Sequence, residues 1–285
     1  MESRMRGHAL LGPIPHFCEY VSKPNHLFFH GLNHHLHNRY KGYVGLKMLT
    51  GWDAHAHKVG FDRAMADEIV SRDEIRAMRR SYSDAGLETL PADPFEAFAM
   101  WLKTAHDNSV IVEANAMVLS TIASDGQVNT RTVLLKDISG GGFTFFTNYQ
   151  SRKAHAIDVN PHVSLLFPWY AMERQISISG IAEKVSAQES DEYFATRPWG
   201  SQIGAWASHQ SSPLSSREEL EQRFEGAAHK WPEGTVVPRP PHWGGYRVTP
   251  LAIEFWQGRY SRLHDRLRYE RTNTNADWVL TRYYP

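Results

Sequence analysis

The sequence predicts a mainly β protein with helices, a β-barrel of the α+β kind carrying helical decoration. Three observations point there. Short apolar and β-branched runs recur from residue 116 to 283. Gly- and Asp-bearing turn signals separate them, as at Asp125-Gly126 and Gly140-Gly141-Gly142. Ser- and Asp-led capping signals mark a few helices between the runs.

In chain order, residues 61–82 read as a charged helix ending in Arg79-Arg80-Ser81-Tyr82. Asp93-Pro94 starts a second helix, with Asp as N-cap and Pro at its first position; Phe95, Phe98, Leu102 and Ala105 form its apolar face. Strands are expected at 116–123 and 128–138, joined through Ser124-Asp125-Gly126-Gln127, then at 143–148, 162–170 and 173–185. Ser151 opens a helix that stops before Pro161, and Ser186 with Glu189 makes a capping box for the helix carrying Tyr193. A short helix spans 201–207, and Ser215 with Glu218 caps another over 216–230. A Pro-rich connector from Trp231 to Trp243 precedes strands at 245–249, 252–257, 264–271 and 277–283.

Composition narrows the function classes. Thirty-one basic residues balance 31 acidic ones, so no global charge favours nucleic acid or a membrane surface. Cys18 is the single cysteine, which excludes an internal disulfide and a Cys-based metal site and fits a reducing cytoplasm. No apolar run reaches the roughly 18 residues of a membrane span, and the N-terminus shows no clean signal-peptide pattern. Nine Trp, 12 Tyr and 13 Phe suffice for a core and for walls around a planar ligand. Residues 1–64 hold nine of the 16 histidines but no sustained period. The cluster His30, His34, His35 and His37 has no carboxylate or Cys ligand nearby, so no metal site is expected and the segment reads as a poorly ordered extension. A translation start at Met65 or Met78 is the alternative. The folded domain is expected over 65–285.

Several residues carry chemical promise. Trp256 to Arg266 packs Trp, Gln, His and several Arg into one hairpin-like stretch, suited to an anionic aromatic ligand or to a solvated charged turn. Arg131 and Lys136 share a strand at odd separation and so face opposite sides, natural for two ligands. Ser151-Arg152-Lys153 places cations in a first helical turn, where charge is unfavourable unless an anion binds; it reads as a phosphate site or a solvated helix start. Tyr193 and Arg197 stand four apart, with Ser201 after the Arg197-Pro198 stop; with Lys136 they make either ordinary packing or a four-point phosphate clamp. Gln175 is a half-exposed strand residue. No paired-carboxylate, Ser-His-Asp, phosphate-loop or HExxH arrangement is present.

Taken in order, the blocks resemble one family. They are Arg131-Thr132-Val133-Leu134-Leu135-Lys136, Phe145-Phe146-Thr147-Asn148, Ser151-Arg152-Lys153, Glu173-Arg174-Gln175, Tyr193-Phe194 with Arg197-Pro198, Ser201 to Ala205, His209 to Ser212, and the WQGxxxRLHDR pattern from Trp256 to Arg266. Together, from about Arg79 onward, they are similar to the pyridoxine/pyridoxamine 5′-phosphate oxidases. The resemblance implies an FMN-binding split barrel, a homodimer, and a C-terminal dimerisation and substrate segment at about 243–285. It implies oxidation of pyridoxine or pyridoxamine 5′-phosphate to pyridoxal 5′-phosphate, with dioxygen as acceptor.

The same resemblance distributes roles. Arg131, Thr132, Val133, Leu134, Leu135, Lys136, Phe146, Thr147, Arg152, Lys153, Gln175, Trp256 and Arg266 would contact FMN, with Gln210 and Ser211 added from the partner subunit. Lys136, Tyr193, Arg197 and Ser201 would hold the substrate phosphate, and Arg262, Leu263 and His264 the pyridine ring. Arg262 and His264 are the catalytic candidates, expected two apart on a strand and on one face. Arg79 and Tyr82 match a segment that closes over the substrate. Another flavin split-barrel reductase and a non-catalytic FMN or pyridoxal phosphate carrier are the competing readings.

Overall fold

A computed structural model describes residues 71–78 and 80–285. The expectations for residues 1–64 and for Arg79 lie outside the described residues. Ser71 is a helix N-cap: its hydroxyl accepts from the Glu74 N–H while the Glu74 carboxylate accepts the Ser71 N–H. Helix α1 (Arg72–Ala77) is therefore short, and the chain from Arg80 to Leu90 is irregular instead of continuing a helix to residue 82. Helix α2 (Pro94–His106) starts as expected on an Asp93 cap.

The strands are β1 (Ala116–Ile122), β2 (Val128–Leu134), β3 (Phe143–Asn148), β4 (His162–Trp169), β5 (Arg174–Lys184), β6 (Trp243–Gln257), β7 (Asp265–Glu270) and β8 (Val279–Tyr283). All pair antiparallel, in the order β2-β1-β4-β5-β6-β7-β8, with β3 on the first half of β6. Strand β2 ends four residues earlier than expected. Beyond it the Lys136 N–H bonds to Thr144 O and the Thr144 N–H to Asp137 O, so the chain leaves β1 and touches β3. That bridge closes six strands, β1-β2-β3-β6-β5-β4, into a barrel, and β7 and β8 extend the sheet from the second half of β6.

The expected pair of strands at 245–249 and 252–257 is one 15-residue strand. Pro250, which lacks an N–H, falls in the expected gap. The structure absorbs it in a β-bulge: Ser179 faces Ala252 and Gly180 faces Pro250, leaving Leu251 as the extra residue. The bend lets the first half of β6 serve β3 and the second half β7.

The core fills the barrel. Phe98 of α2 is fully buried, edge-on to Phe143 at 4.9 Å and to Phe167 at 5.0 Å. Trp101 meets Phe255 at 5.1 Å. Helices α3 (Arg152–Val159), α4 (Ala187–Ala195), α5 (Trp199–Ala207) and α6 (Arg217–Lys230) decorate it. A second apolar cluster of Phe194, Ile203, Val237 and Trp243 joins α4 and α5 to the start of β6. The α6 cap is displaced by one residue from expectation. Ser216 accepts the Glu219 N–H, and the Glu219 carboxylate turns back to the Ser215 N–H and hydroxyl. Among the described residues, no helix is long and apolar enough to cross a membrane.

The bulge leaves no room at Gly180, where a Cβ would collide with Thr249 O and lie 2.9 Å from Pro250 Cα. Gly180→Ala should destabilise the fold by about 1–3 kcal/mol. Gly226→Ala, in open space on α6, should stabilise by about 0.5–1 kcal/mol. Denaturant titration of both variants measures the contrast.

Candidate functional site

A cavity of about 440 Å3 lies between β2, β3, α4, α5 and the start of β6. Lys136 reaches it because β2 has ended: the Leu135 N–H turns to Asn115 O, and Lys136 follows on the way to β3. Arg131 lines two other depressions instead. The expected separation of Arg131 from Lys136 holds, although a bend in the chain contributes to it as well as strand alternation. The capping box of Ser186 and Glu189 orients α4, and Arg247 grips that Glu189 at 2.5 Å. Tyr193 sits in the last turn of α4 and Arg197 just beyond it, its N–H on Phe194 O; Ser201 lies in the first turn of α5. All four expected clamp residues, Lys136, Tyr193, Arg197 and Ser201, line this cavity.

The Arg197 guanidinium lies 4.6 Å over the Trp243 ring and 5.6 Å from that of Phe194. Burial lowers its pKa below the usual arginine value, and its Nη1 is buried with no hydrogen-bond partner. An unpaired buried donor of this kind is costly, and an anion in the cavity would satisfy it. Phe146 and Tyr193 stack at 4.0 Å, with Trp243 nearly parallel 5.5 Å from Phe146. Sequence reasoning missed Trp243. Its signal was an aromatic residue directly before Gly244-Gly245 at the start of a strand.

Adjoining the clamp is a second cation group. Arg131, Arg152, Lys153 and Ser211 line one depression. Ser151 caps α3, and the Lys153 ammonium donates to Thr147 Oγ1 at 3.2 Å, Ser151 Oγ at 3.3 Å and Gln210 Oε1 at 2.9 Å. Ser211 Oγ accepts the Arg152 N–H at 3.3 Å. Gln210 and Ser211 therefore reach these cations from within the same chain. The cause is local: α5 ends at Ala207, and the following turn folds back over the end of β3, with Ser208 O accepting from the Asn148 amide. Burial, then the charge of Arg131, lowers the Lys153 pKa to about 8. Among the described residues, none of Arg131, Lys136, Arg152, Lys153 and Arg197 forms an ion pair with a carboxylate.

The remaining candidates lie elsewhere. Gln175, Trp256 and Arg266 stand in one register row across β5, β6 and β7. Tyr82, Glu173, Arg174, Gln175 and Trp256 line a cavity of about 540 Å3 that shares no residue with the clamp cavity. Arg266 is not a free cation there: Glu254 binds its guanidinium at 3.0 and 2.8 Å. Arg262 and His264 do not share a strand. Tyr260–Arg262 is a 3-10 turn, with Ser261 and Arg262 at φ 56° and 65°, and β7 begins only at Asp265. Arg262 and Leu263 are exposed, while half-buried His264 packs on Trp256 at 4.6 Å and Tyr82 at 5.3 Å. Burial and then the Arg262 charge lower the His264 pKa. Its Nδ1 accepts the Arg259 N–H at 3.0 Å, so the neutral ring carries its proton on Nε2.

Residues 104–231 match the family model described as pyridoxamine 5′-phosphate oxidase, and residues 243–285 that of the pyridoxine 5′-phosphate oxidase C-terminal dimerisation region. The chain is 47% identical to a pyridoxine/pyridoxamine 5′-phosphate oxidase of Streptomyces avermitilis, over 76% of this chain and 100% of that one. Its counterpart in Rubrobacter xylanophilus is 50% identical over 75% of this chain and 98% of its own. The crystal structure of PhzG from Burkholderia lata, in complex with tetrahydrophenazine-1-carboxylic acid, is similar with a TM-score of 0.64 and 33% identity, covering 70% of this chain and 100% of that chain.

The uncompensated Lys153 yields a pH test. With a pKa of about 8, the ammonium is charged below that value and neutral above it. Sulfate keeps its charge throughout, so its affinity should hold steady below about pH 8 and fall above it. Lys153→Met should bind sulfate more weakly and lose that fall. Calorimetric titration across the range measures both effects.

Proposed function

Because the chain belongs to the pyridoxine/pyridoxamine 5′-phosphate oxidase family of oxidoreductases, we propose that it oxidises pyridoxine and pyridoxamine 5′-phosphates to pyridoxal 5′-phosphate, with FMN as cofactor and dioxygen as acceptor. Hydrogen peroxide is the by-product, and the amine also yields ammonia. One observation carries the reading: two neighbouring cation groups without carboxylate partners, one of them holding the orphaned Arg197 Nη1. Two such positions suit two phosphate monoesters, one on the cofactor and one on the substrate.

The donor set fits FMN. Arg131, Arg152 and Lys153, steadied by Gln210 and Ser211, would hold its phosphate, with Thr132 to Leu135, Phe146 and Thr147 along its length. When bound, FMN supplies the hydride acceptor for the substrate's exocyclic carbon and the route of electrons to dioxygen. The protein's own work is then binding and register. Lys136, Tyr193, Arg197 and Ser201 grip the substrate phosphate and fix the distance of the ring from it. His264, neutral with its proton on Nε2, acts as a donor that orients the pyridine ring, and exposed Arg262 adds a cation beside it.

The clamp and the group formed by Gln175, Trp256 and the His264 ring packed on it belong to separate surfaces of one chain. A homodimer would unite them, with a second copy laying its Trp256–Arg266 segment over the clamp. The match of residues 243–285 to a dimerisation region supports this arrangement.

Peroxide release on adding either 5′-phosphate tests the reading directly. Release is expected with both substrates, whereas binding without peroxide would leave a carrier. Lys136→Ala and Arg197→Ala should each weaken substrate binding by about 1.5–3 kcal/mol and leave FMN in place. Steady-state KM and flavin absorbance after gel filtration measure the two effects. Arg262→Leu and His264→Asn should retain FMN but slow anaerobic flavin reduction on the order of a hundredfold, read by stopped-flow absorbance.

A further inference from the structure

Among the described residues, the non-glycine positions with positive φ are Glu173, Ser211, Ser261 and Arg262. Three belong to segments already assigned a role. Glu173 does not, and a left-handed glutamate between β4 and β5 needs a reason, since glycine adopts that conformation freely.

Its contacts supply one. Glu173 follows the 3-10 turn Tyr170–Met172 with φ 54° and ψ 33°. That backbone turns the carboxylate toward the irregular segment after α1, where one oxygen accepts both the Ser83 N–H at 2.8 Å and the Ser83 hydroxyl at 2.6 Å. The Glu173 carbonyl meanwhile accepts the Gly258 N–H at 2.7 Å, tying the same residue to the end of β6. Ser83 O accepts the Tyr260 N–H at 3.2 Å, and Asp84 pairs with Arg259 at 3.0 Å. The segment has almost no apolar anchor of its own before Leu87, so these polar bonds hold it. The neighbour of Ser83 is Tyr82, whose ring lies 5.3 Å from His264 and 5.7 Å from Trp256. It approaches Gly258 so closely that a Cβ there would fall 2.8 Å from the ring.

We infer that Glu173 is a positioning residue: through Ser83 it latches the 80–87 strap and seats Tyr82 against His264 and Trp256, so that substrate is retained in the cavity that Tyr82 and Trp256 line. The inference rests on the proposed reading in placing that cavity on the substrate's path. The latch itself is independent of which substrate enters.

Glycine at position 173 separates a latch from a merely structural role, because it suits the backbone but removes the carboxylate. In the FMN-bound protein, Glu173→Gly should leave the melting temperature equal or higher and flavin affinity unchanged. Deuterium exchange of the 80–87 segment should accelerate about tenfold, with KM rising about tenfold and kcat staying within about twofold. Glu173→Gln, whose amide oxygen still accepts from Ser83, should restore most of both. Ser83→Ala, at an exposed position, should give a smaller shift that does not add to that of Glu173→Gly. Unchanged exchange in Glu173→Gly would overturn the latch, and faster exchange with unchanged KM would overturn its role in retention. If the wild type released no peroxide with either substrate, the functional reading would fail, and the exchange measurement would still decide the latch.

Discussion

The architecture depends on strand β6 having three neighbours. Along its length it pairs with β5, while its other edge is shared between β3 and β7. A straight strand could not serve both, because β3 closes the barrel and β7 leaves it. The extra residue at Leu251 supplies the bend, and Pro250 is tolerated there because a bulge needs fewer ladder donors. Each half of β6 then carries a ring to a different cavity, Trp243 to the clamp and Trp256 to the Tyr82–His264 group.

Charge is distributed by the same division. On the C-terminal extension and the strap, carboxylates neutralise arginines: Glu254 holds Arg266, Asp265 holds Arg259 and Arg282, and Asp84 holds Arg259. Around the clamp the cations stand without them. A partly buried lysine whose only acceptors are two hydroxyls and an amide is destabilised in its charged form, and an arginine N–H buried without an acceptor loses its water for nothing. Both costs are recovered when an anion binds, so such a site is organised for its ligand rather than for stability. Backbone strain falls outside the clamp cavity, with Ser211 beside the second cation group, Glu173 lining the Trp256 cavity, and Ser261 and Arg262 in the turn before β7.

This arrangement also accounts for the absence of an acid-base constellation. If a cofactor supplies the redox step, side chains need only hold two ring systems in register and exclude competing poses. On the proposed reading, the protein would contribute phosphate grips at one end and aromatic walls along the length.

Much of this was legible in the sequence because it is local. Alternating apolar runs, the Asp125-Gly126 turn and the Asp93, Ser151 and Ser186 caps all depend on near neighbours along the chain, while Lys136, Tyr193, Arg197 and Ser201 were legible as blocks in one family-like order. What sequence could not decide depends on contacts between distant segments. The strands expected at 245–249 and 252–257 are one because β5, far away in sequence, takes Pro250 into a bulge. Arg266 looked like a free cation because Glu254 faces it only once β6 and β7 are in register. Gln210 and Ser211 meet Lys153 and Arg152 only because the turn after α5 folds back over the end of β3. Arg262 and His264 read as strand residues by spacing, whereas two left-handed residues make the segment a turn. Local propensity sets which elements form and which residue types gather; the register, bends and long-range hydrogen bonds that aim those residues are settled only when the barrel closes.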